Sequence, residues 1–146
     1  MLVDDDKDIL QTVRKGLENL GYEVHGFSDS VKALEHIENG CKECQMLVSD
    51  IRMPNINGFQ LVRRIRELRP EMKVILMTAF TESMPEFRAV FPSTHVDDIL
   101  TKPFVPSKLA GKVNEMLSSP TTSQQPWIAG WIPFDWKQAL LTKIGD

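Results

Sequence analysis

The amino-acid sequence predicts an α/β fold, a doubly wound parallel sheet of five strands alternating with helices. Short apolar runs alternate along the chain with segments whose apolar residues recur at helical spacing. Strict alternation of this kind is typical of parallel strands with helices on both faces of the sheet and right-handed crossovers. The five strand–helix units occupy residues 1–118, which is a suitable length for one doubly wound domain.

Five short segments are expected to form the strands. Continuous apolar runs, typical of strands buried on both faces, lead into Ser49 and into Thr78. In chain order, the expected strands are Met1–Val3, Glu23–Phe27, Met46–Val48, Val74–Met77 and Asp98–Thr101.

The helices are expected between these strands. An apolar stripe over Lys7–Leu20 is followed by Gly21, a residue type that commonly ends helices. Residues 28–30 offer three N-caps to a second helix, which is expected to end at Gly40. The remaining helices are expected over Leu61–Leu68, Pro85–Val90 and Lys108–Leu117.

Beyond residue 118 the composition changes. Residues 119–126 are rich in Ser, Thr, Gln and Pro and are expected to be a linker. Residues 127–146 carry all three tryptophans and favour a short amphipathic helix that packs on the domain itself or on a second copy, giving a possible homodimer. Membrane contact is less favoured because the tail has only two lysines, and an unstructured remnant of a longer chain stays open.

Overall composition excludes several classes of protein. The sequence is 42% apolar and 25% charged, as a packed domain requires. Its formal net charge of −3 gives no electrostatic argument for nucleic acid, which usually requires a clustered basic face, so no nucleic-acid partner is expected. Since the sequence contains neither an apolar run of membrane-spanning length nor a leader pattern, a cytoplasmic location and no membrane partner are expected.

The two cysteines, Cys41 and Cys44, form a single C-K-E-C motif. Two cysteines are too few to cross-link a secreted domain. A zinc site would need two further ligands, and His36 is the one nearby candidate in the sequence. The motif is therefore expected to be a loop with two reduced thiols.

Polar residues with reactive side chains follow four of the expected strands. Residues 4–6 are three aspartates after the first strand, Asp50 follows the third, Thr78 the fourth and Lys102 the fifth. Ligands of open parallel sheets bind beyond the carboxyl ends of the strands. Taken singly, each residue has an ordinary explanation as a helix cap or a surface lysine. Their convergence on one edge of the sheet favours a functional site.

The chemistry of that edge follows from its charges. Crowded carboxylates repel one another unless a cation compensates, and Mg²⁺ is the hard cation that prefers oxygen ligands. A carboxylate beside Mg²⁺ and a lysine can attack phosphorus and become an aspartyl-phosphate. Thr78 can donate a hydrogen bond to a phosphoryl oxygen, and Lys102 can supply a positive charge to another.

Four sequence segments resemble the receiver domain of two-component response regulators. They are V-D-D-D at 3–6, S-D-I-R-M-P-N-I-N-G at 49–58, L-M-T-A at 76–79 and T-K-P-F at 101–104. The segments occur in the family's order at near-family spacing, and the resemblance covers about residues 1–118. It implies a flavodoxin-like (βα)5 fold with strand order 2-1-3-4-5.

The resemblance implies a phosphoacceptor and a metal site. Asp50 would accept the phosphoryl group, and Asp5 would bind Mg²⁺ directly with Asp4 close to the ion. Asp50 and the backbone carbonyl of Arg52 would complete the protein ligands. The acidic pair of the family directly follows the valine, which favours Asp4 and Asp5 over Asp6.

The resemblance also implies a signalling switch. Thr78 and Lys102 would contact the phosphoryl group, and the Lys102–Pro103 peptide bond would be cis. Ile99 stands where the family has an aromatic switch residue. Because isoleucine has neither a ring nor a hydroxyl group, output is expected to depend on movement of the loop after Thr78.

By resemblance, the partners would be a sensor histidine kinase or phosphotransfer protein and an unknown output protein. The chain would be no enzyme beyond its own phosphorylation and dephosphorylation. One alternative is a Mg²⁺-dependent phosphohydrolase of the haloacid dehalogenase type, which needs an acidic residue where this chain has Arg52. Another alternative is a decayed receiver that acts as a binding module.

Overall fold

The computed structural model describes residues 1–79 and 96–118. Within them, five parallel strands form one sheet in the order β2-β1-β3-β4-β5. The expected fold and strand order are confirmed. The strands are β1 (Leu2–Val3), β2 (Gly26–Phe27), β3 (Met46–Asp50), β4 (Lys73–Thr78) and β5 (Asp98–Thr101).

The described residues also form four helices. They are α1 (Lys7–Glu18), α2 (Ser30–Glu38), α3 (Gly58–Leu68) and α4 (Pro106–Ser118). No helix among them is long and apolar enough to cross a bilayer. The expected helix over Pro85–Val90, the linker at 119–126 and the tail at 127–146 lie outside the described residues.

Three elements are shorter than the sequence predicts, among them α2, which ends at Glu38 rather than at Gly40. Strand β2 begins at Gly26 rather than Glu23, because this edge strand pairs only with the two residues of β1. Helix α1 ends at Glu18 rather than at Leu20, a residue that is 61% exposed. Gly21 follows with a φ of 90°, a backbone conformation that favours glycine and diverts the chain from the helix.

The core has two parts, one on each face of the sheet. Alternate strand residues, including Leu47 and Leu76, pack against α2 and α3. The strand residues that alternate with these, including Val48 and Ile75, pack against α1 and α4 on the opposite face. The central strands are therefore buried on both faces, and their carboxyl ends are held at fixed positions along one edge.

Candidate functional site

The carboxyl-terminal edge of the sheet brings together the residues that the sequence singled out. Asp4 directly follows β1, Asp50 and Thr78 are the last residues of β3 and β4, and Lys102 directly follows β5. The strands are parallel and adjacent, so all four residues lie at the same edge. We call this edge, with Asp5, the acidic rim.

Three carboxylates of the acidic rim form a cluster. An oxygen from each of Asp4, Asp5 and Asp50 lies within 4.8 Å of the others. Asp4 is completely buried, the Asp50 side chain is 13% exposed, and Asp5 is open to solvent. The cluster thus has a buried inner wall and an accessible outer side, and its oxygen donors match the preference of Mg²⁺.

Lys102 neutralises part of this negative charge. Its Nζ lies 2.7 Å from Asp4 Oδ2 and 3.3 Å from Asp50 Oδ1. Burial alone would lower the pKa of Lys102, but the two carboxylates outweigh it and raise that pKa. The ammonium group therefore stays charged and is held between the two buried carboxylates.

The third aspartate of the run has a different place. Asp6 is the N-cap of α1, where its Oδ1 accepts hydrogen bonds from the backbone N–H groups of Asp8 (3.0 Å) and Ile9 (3.2 Å). Asp4 Oδ1 accepts from the Asp6 backbone N–H at 2.9 Å, which turns the chain out of β1. The geometry therefore groups Asp4 and Asp5, rather than Asp6, with Asp50.

A tight turn after β3 positions the backbone of Asp50. The N–H of Gly58 donates to Ile51 O at 2.7 Å, and a Cβ at residue 58 would clash with Asp50 O and lie 2.9 Å from Ile51 Cα. Asn57 and Gln60 form a reciprocal capping box that begins α3 at this point. Only glycine fits here, so the turn and the Asp50 main chain are packed against each other.

Three further residues have roles that stay predictions. Thr78 is 5% exposed, and its carbonyl accepts from the Lys102 backbone N–H at 2.7 Å. Ile99 pairs with Leu76 and packs, partly buried, on the α2–α3 side of the core. Arg52 is exposed in the loop after β3. The expected cis peptide bond between Lys102 and Pro103 is confirmed.

Asp50 sits in an environment that disfavours its charged form. Burial raises the pKa of the Asp50 carboxyl group, and the Asp4 charge adds to this effect, while Lys102 opposes both. A raised carboxyl pKa means that the folded state binds more protons than the unfolded state in the window just above the ordinary value of aspartate. Ionised Asp50 therefore costs stability above its folded-state pKa, and the cost disappears as the pH falls below the ordinary value.

This balance predicts the effect of Asp50→Asn without added Mg²⁺. The variant removes the buried negative charge, so we expect it to raise the free energy of unfolding at neutral pH by about 0.5–2 kcal/mol. The gain should shrink as the pH falls and Asp50 of the parent protein is protonated. Urea unfolding of both proteins at several pH values measures this trend, and a gain that grows towards acid pH would contradict it.

A second side-chain cluster lies at the opposite, amino-terminal edge of the sheet. One ligand atom from each of His25, His36, Cys41 and Cys44 lies within 4.8 Å of the others. The expectation that His36 is the one histidine near the motif was wrong, because the fold brings His25, directly before β2, to the same place. In the sequence, His25 falls inside the expected second strand, and no local motif links it to His36 or to the cysteines.

Comparison with known proteins identifies the domain. Residues 1–114 match the family model of the response regulator receiver domain. The chain is 33% identical over 117 residues to the regulatory protein VanRc of Enterococcus gallinarum, covering 80% of this chain but 48% of that protein. It is 30% identical over 120 residues to the receiver protein CpdR of Brucella abortus, covering 80% of this chain and 94% of that protein.

The fold comparison agrees. A crystal structure of a CheY-like receiver domain protein from Methanospirillum hungatei superposes with a TM-score of 0.72 at 32% identity, covering 80% of this chain and 90% of that one. These comparisons give no support to the alternative of a phosphohydrolase of the haloacid dehalogenase type. The chain spans about half the length of VanRc and nearly all of CpdR. By family match, relatives and fold, this chain belongs to the response regulator receiver domains.

Proposed function

We propose that this receiver accepts a phosphoryl group on Asp50 in a Mg²⁺-dependent reaction and relays the signal by a change of conformation. The observation that carries the proposal is the place of Asp50 at the acidic rim, within reach of the buried Asp4 carboxylate and the Lys102 ammonium group. A carboxylate of raised pKa held beside a fixed cation suits a nucleophile that must approach a negatively charged phosphoryl group.

The acidic rim fits a magnesium ion. Asp5 would bind it directly from the solvent side, Asp50 would share it, and Asp4 would lie close behind. The Arg52 carbonyl, in the loop directly after β3, is proposed as the remaining protein ligand. When bound, Mg²⁺ supplies charge neutralisation for the phosphoryl oxygens.

Side chains of the protein have the remaining roles in phosphoryl transfer. An Asp50 carboxylate oxygen forms the new bond to phosphorus as the bond from phosphorus to the donor breaks, and the electron pair leaves with the donor. Lys102 exchanges its contact with Asp50 for a phosphoryl oxygen while Asp4 keeps its position. Thr78 donates its hydroxyl hydrogen to another oxygen, and movement of the following loop, with little rotation of Ile99, carries the signal.

The donor is proposed to be a phosphohistidine on a sensor histidine kinase or phosphotransfer protein, or a small acyl phosphate. The receiver would act in the cytoplasm on an unidentified output protein, and the 127–146 tail would pack on the domain or on a second copy. Beyond transfer to and from Asp50, the chain is proposed to have no catalytic activity. Arg52 occupies the position where a phosphohydrolase of the alternative class needs an acid, which disfavours that function.

Incubation with acetyl phosphate and Mg²⁺ tests the proposal. Intact-mass spectrometry should show the addition of one phosphoryl group, which should be absent with Asp50→Asn and with EDTA. Asp8→Asn is the matched control, because Asp8 is exposed in the first turn of α1 and should leave phosphorylation unchanged. Phosphorylation that persists in Asp50→Asn would refute the assignment. A parent protein that is not phosphorylated at all would also refute it and would favour the decayed receiver.

A further inference from the structure

The geometry points to a structural zinc site formed by His25, His36, Cys41 and Cys44. Nδ1 of His25 lies 3.7 Å from the Cys44 sulfur and 3.9 Å from the Cys41 sulfur, and Nε2 of His36 lies 3.7 Å from that of Cys44. Tetrahedral zinc, with Zn–S near 2.3 Å and Zn–N near 2.0–2.1 Å, requires sulfur and nitrogen to be about 3.6 Å apart. Three of the four sulfur–nitrogen pairs are thus already close to ligand spacing, and the fourth, between His36 and Cys41, lies within 4.8 Å.

The like pairs are closer together than the ligands of a zinc ion would be. His25 Nδ1 and His36 Nε2 are 2.8 Å apart, and the two sulfurs are 3.0 Å apart. Around zinc these separations would be about 3.3 Å and 3.8 Å. Each pair needs to open by less than about 1 Å to admit the ion. Zinc would thereby replace two close contacts, one between the imidazole nitrogens and one between the sulfurs.

The Glu23 carboxylate already orients one of the ligands. Nε2 of His25 lies 2.9 Å from a carboxylate oxygen of Glu23, so the imidazole donates from Nε2 and keeps the lone pair of Nδ1 available as a ligand. A carboxylate–histidine pair of this kind is the usual support of a zinc ligand. With this tautomer, the His36 Nε2–H now donates to His25, and metal binding would move that proton to Nδ1 of His36.

The loop that carries the thiols is fixed from outside. The guanidinium group of Arg69 donates to the backbone carbonyl of Cys41 and, at 3.2 Å, to that of Cys44. Both ends of the C-K-E-C loop are therefore held by one side chain. Cys44 is 5% exposed and Cys41 partly buried, so the sulfurs face the histidines rather than the solvent. This spacing of cysteines is the one that tetrahedral zinc sites use.

The charge of the complex suits its surroundings. Zinc binds the thiolate forms, so the proton of each thiol is released as its Zn–S bond forms. Burial raises the pKa of Cys44 to about 11 and so favours the neutral thiol until a cation is present. Two thiolates, two neutral imidazoles and one Zn²⁺ have no net charge, which a half-buried site tolerates better than two free thiolates.

The position of the site indicates a structural rather than a catalytic role. Four protein ligands leave no open coordination position for a substrate. Cys44 precedes β3 whereas Asp50 ends it, so the site and the acidic rim lie at opposite edges, roughly 20 Å apart at about 3.3 Å per strand residue. Zinc would join the two-residue edge strand β2 to α2 and to the loop before β3. We therefore expect it to stabilise this edge independently of phosphorylation.

Metal titration of the full chain, kept reduced with a phosphine, tests the inference. Zinc should bind at one ion per chain and raise the Tm, and Co²⁺ should give sulfur-to-cobalt charge transfer together with the intense visible bands of tetrahedral coordination. Cys41→Ser/Cys44→Ser and His25→Gln should lose these signals. Lys42→Gln, an exposed change inside the same loop, should keep them. Circular dichroism verifies that each variant is folded.

The difference between two changes at Glu23 separates this site, where Glu23 only orients His25, from a site in which Glu23 itself binds the metal. Glu23→Ala should weaken zinc binding by roughly 10-fold, and Glu23→Gln, which keeps an acceptor for Nε2–H, should weaken it less. The inference would be overturned if the reduced parent chain bound less than half an equivalent of zinc, or if its Co²⁺ spectrum lacked sulfur charge transfer. The latter would place the metal on the nearby carboxylates Glu23 and Glu43 with His25, or at the acidic rim.

Discussion

Replacing Lys102 by methionine is expected to lower the free energy of unfolding by roughly 3–5 kcal/mol without Mg²⁺, because it leaves the fully buried Asp4 carboxylate without its cation. The same change should abolish phosphorylation by acetyl phosphate, since no other ammonium group is described at the acidic rim. Urea unfolding at pH 7 gives the first quantity, and intact-mass spectrometry the second.

Two further variants define the origin of that loss. Lys108→Met changes an exposed lysine at the start of α4 and should shift the unfolding free energy by no more than about 0.5 kcal/mol. Asp4→Asn combined with Lys102→Met removes the uncompensated charge and should recover part of the lost stability. A Lys102→Met protein as stable as the parent would show that the buried pair is not a structural element.

Gly58→Ala is expected to cost about 3 kcal/mol, at the upper end of the usual range for overpacking. The new Cβ would meet the backbone of Asp50 and Ile51, and backbone atoms cannot move aside as a flexible side chain would. Because the new Cβ would displace the backbone of Asp50 itself, the rate of phosphorylation should also fall in the variant. Thermal unfolding and a time course of acetyl phosphate labelling measure the two effects.

Gly111→Ala is the matched control for this change. Gly111 lies within α4, and a Cβ there would meet no atom within 4 Å apart from its chain neighbours and the nearby backbone of its own helix. Alanine favours the helix over glycine, so the variant should be more stable by about 0.5–1 kcal/mol and should be phosphorylated normally. Equal effects of the two substitutions would mean that the packing of Gly58 against Asp50 has no special importance.

Much of the fold and of the acidic rim could be predicted because local pattern and topology agree. The apolar runs before Asp50 and Thr78 are buried on both faces of the sheet, which is the environment that such runs specify. Once the strands are parallel, residues at their carboxyl ends must meet at one edge, whatever their separation along the chain. Asp4 and Lys102 are 98 residues apart and in contact.

The parts that could not be predicted depend on contacts between elements. Glu23–Phe27 has the residue types of a strand, but its length is limited by the two residues of β1 available for pairing. The cluster of His25, His36 and the two cysteines arises because β2, α2 and the loop before β3 meet at the amino-terminal edge. No single sequence window contains that information, since His25 and Cys44 are 19 residues apart.

The most direct test of the central claim is to locate the phosphoryl group. The chain is labelled with acetyl phosphate and Mg²⁺, reduced with borohydride, which converts an aspartyl-phosphate to homoserine, and analysed by peptide mass spectrometry. We expect conversion at residue 50 alone, within the β3 peptide. Conversion at Asp4 or Asp5 instead, or no conversion in protein shown to be folded, would contradict the account.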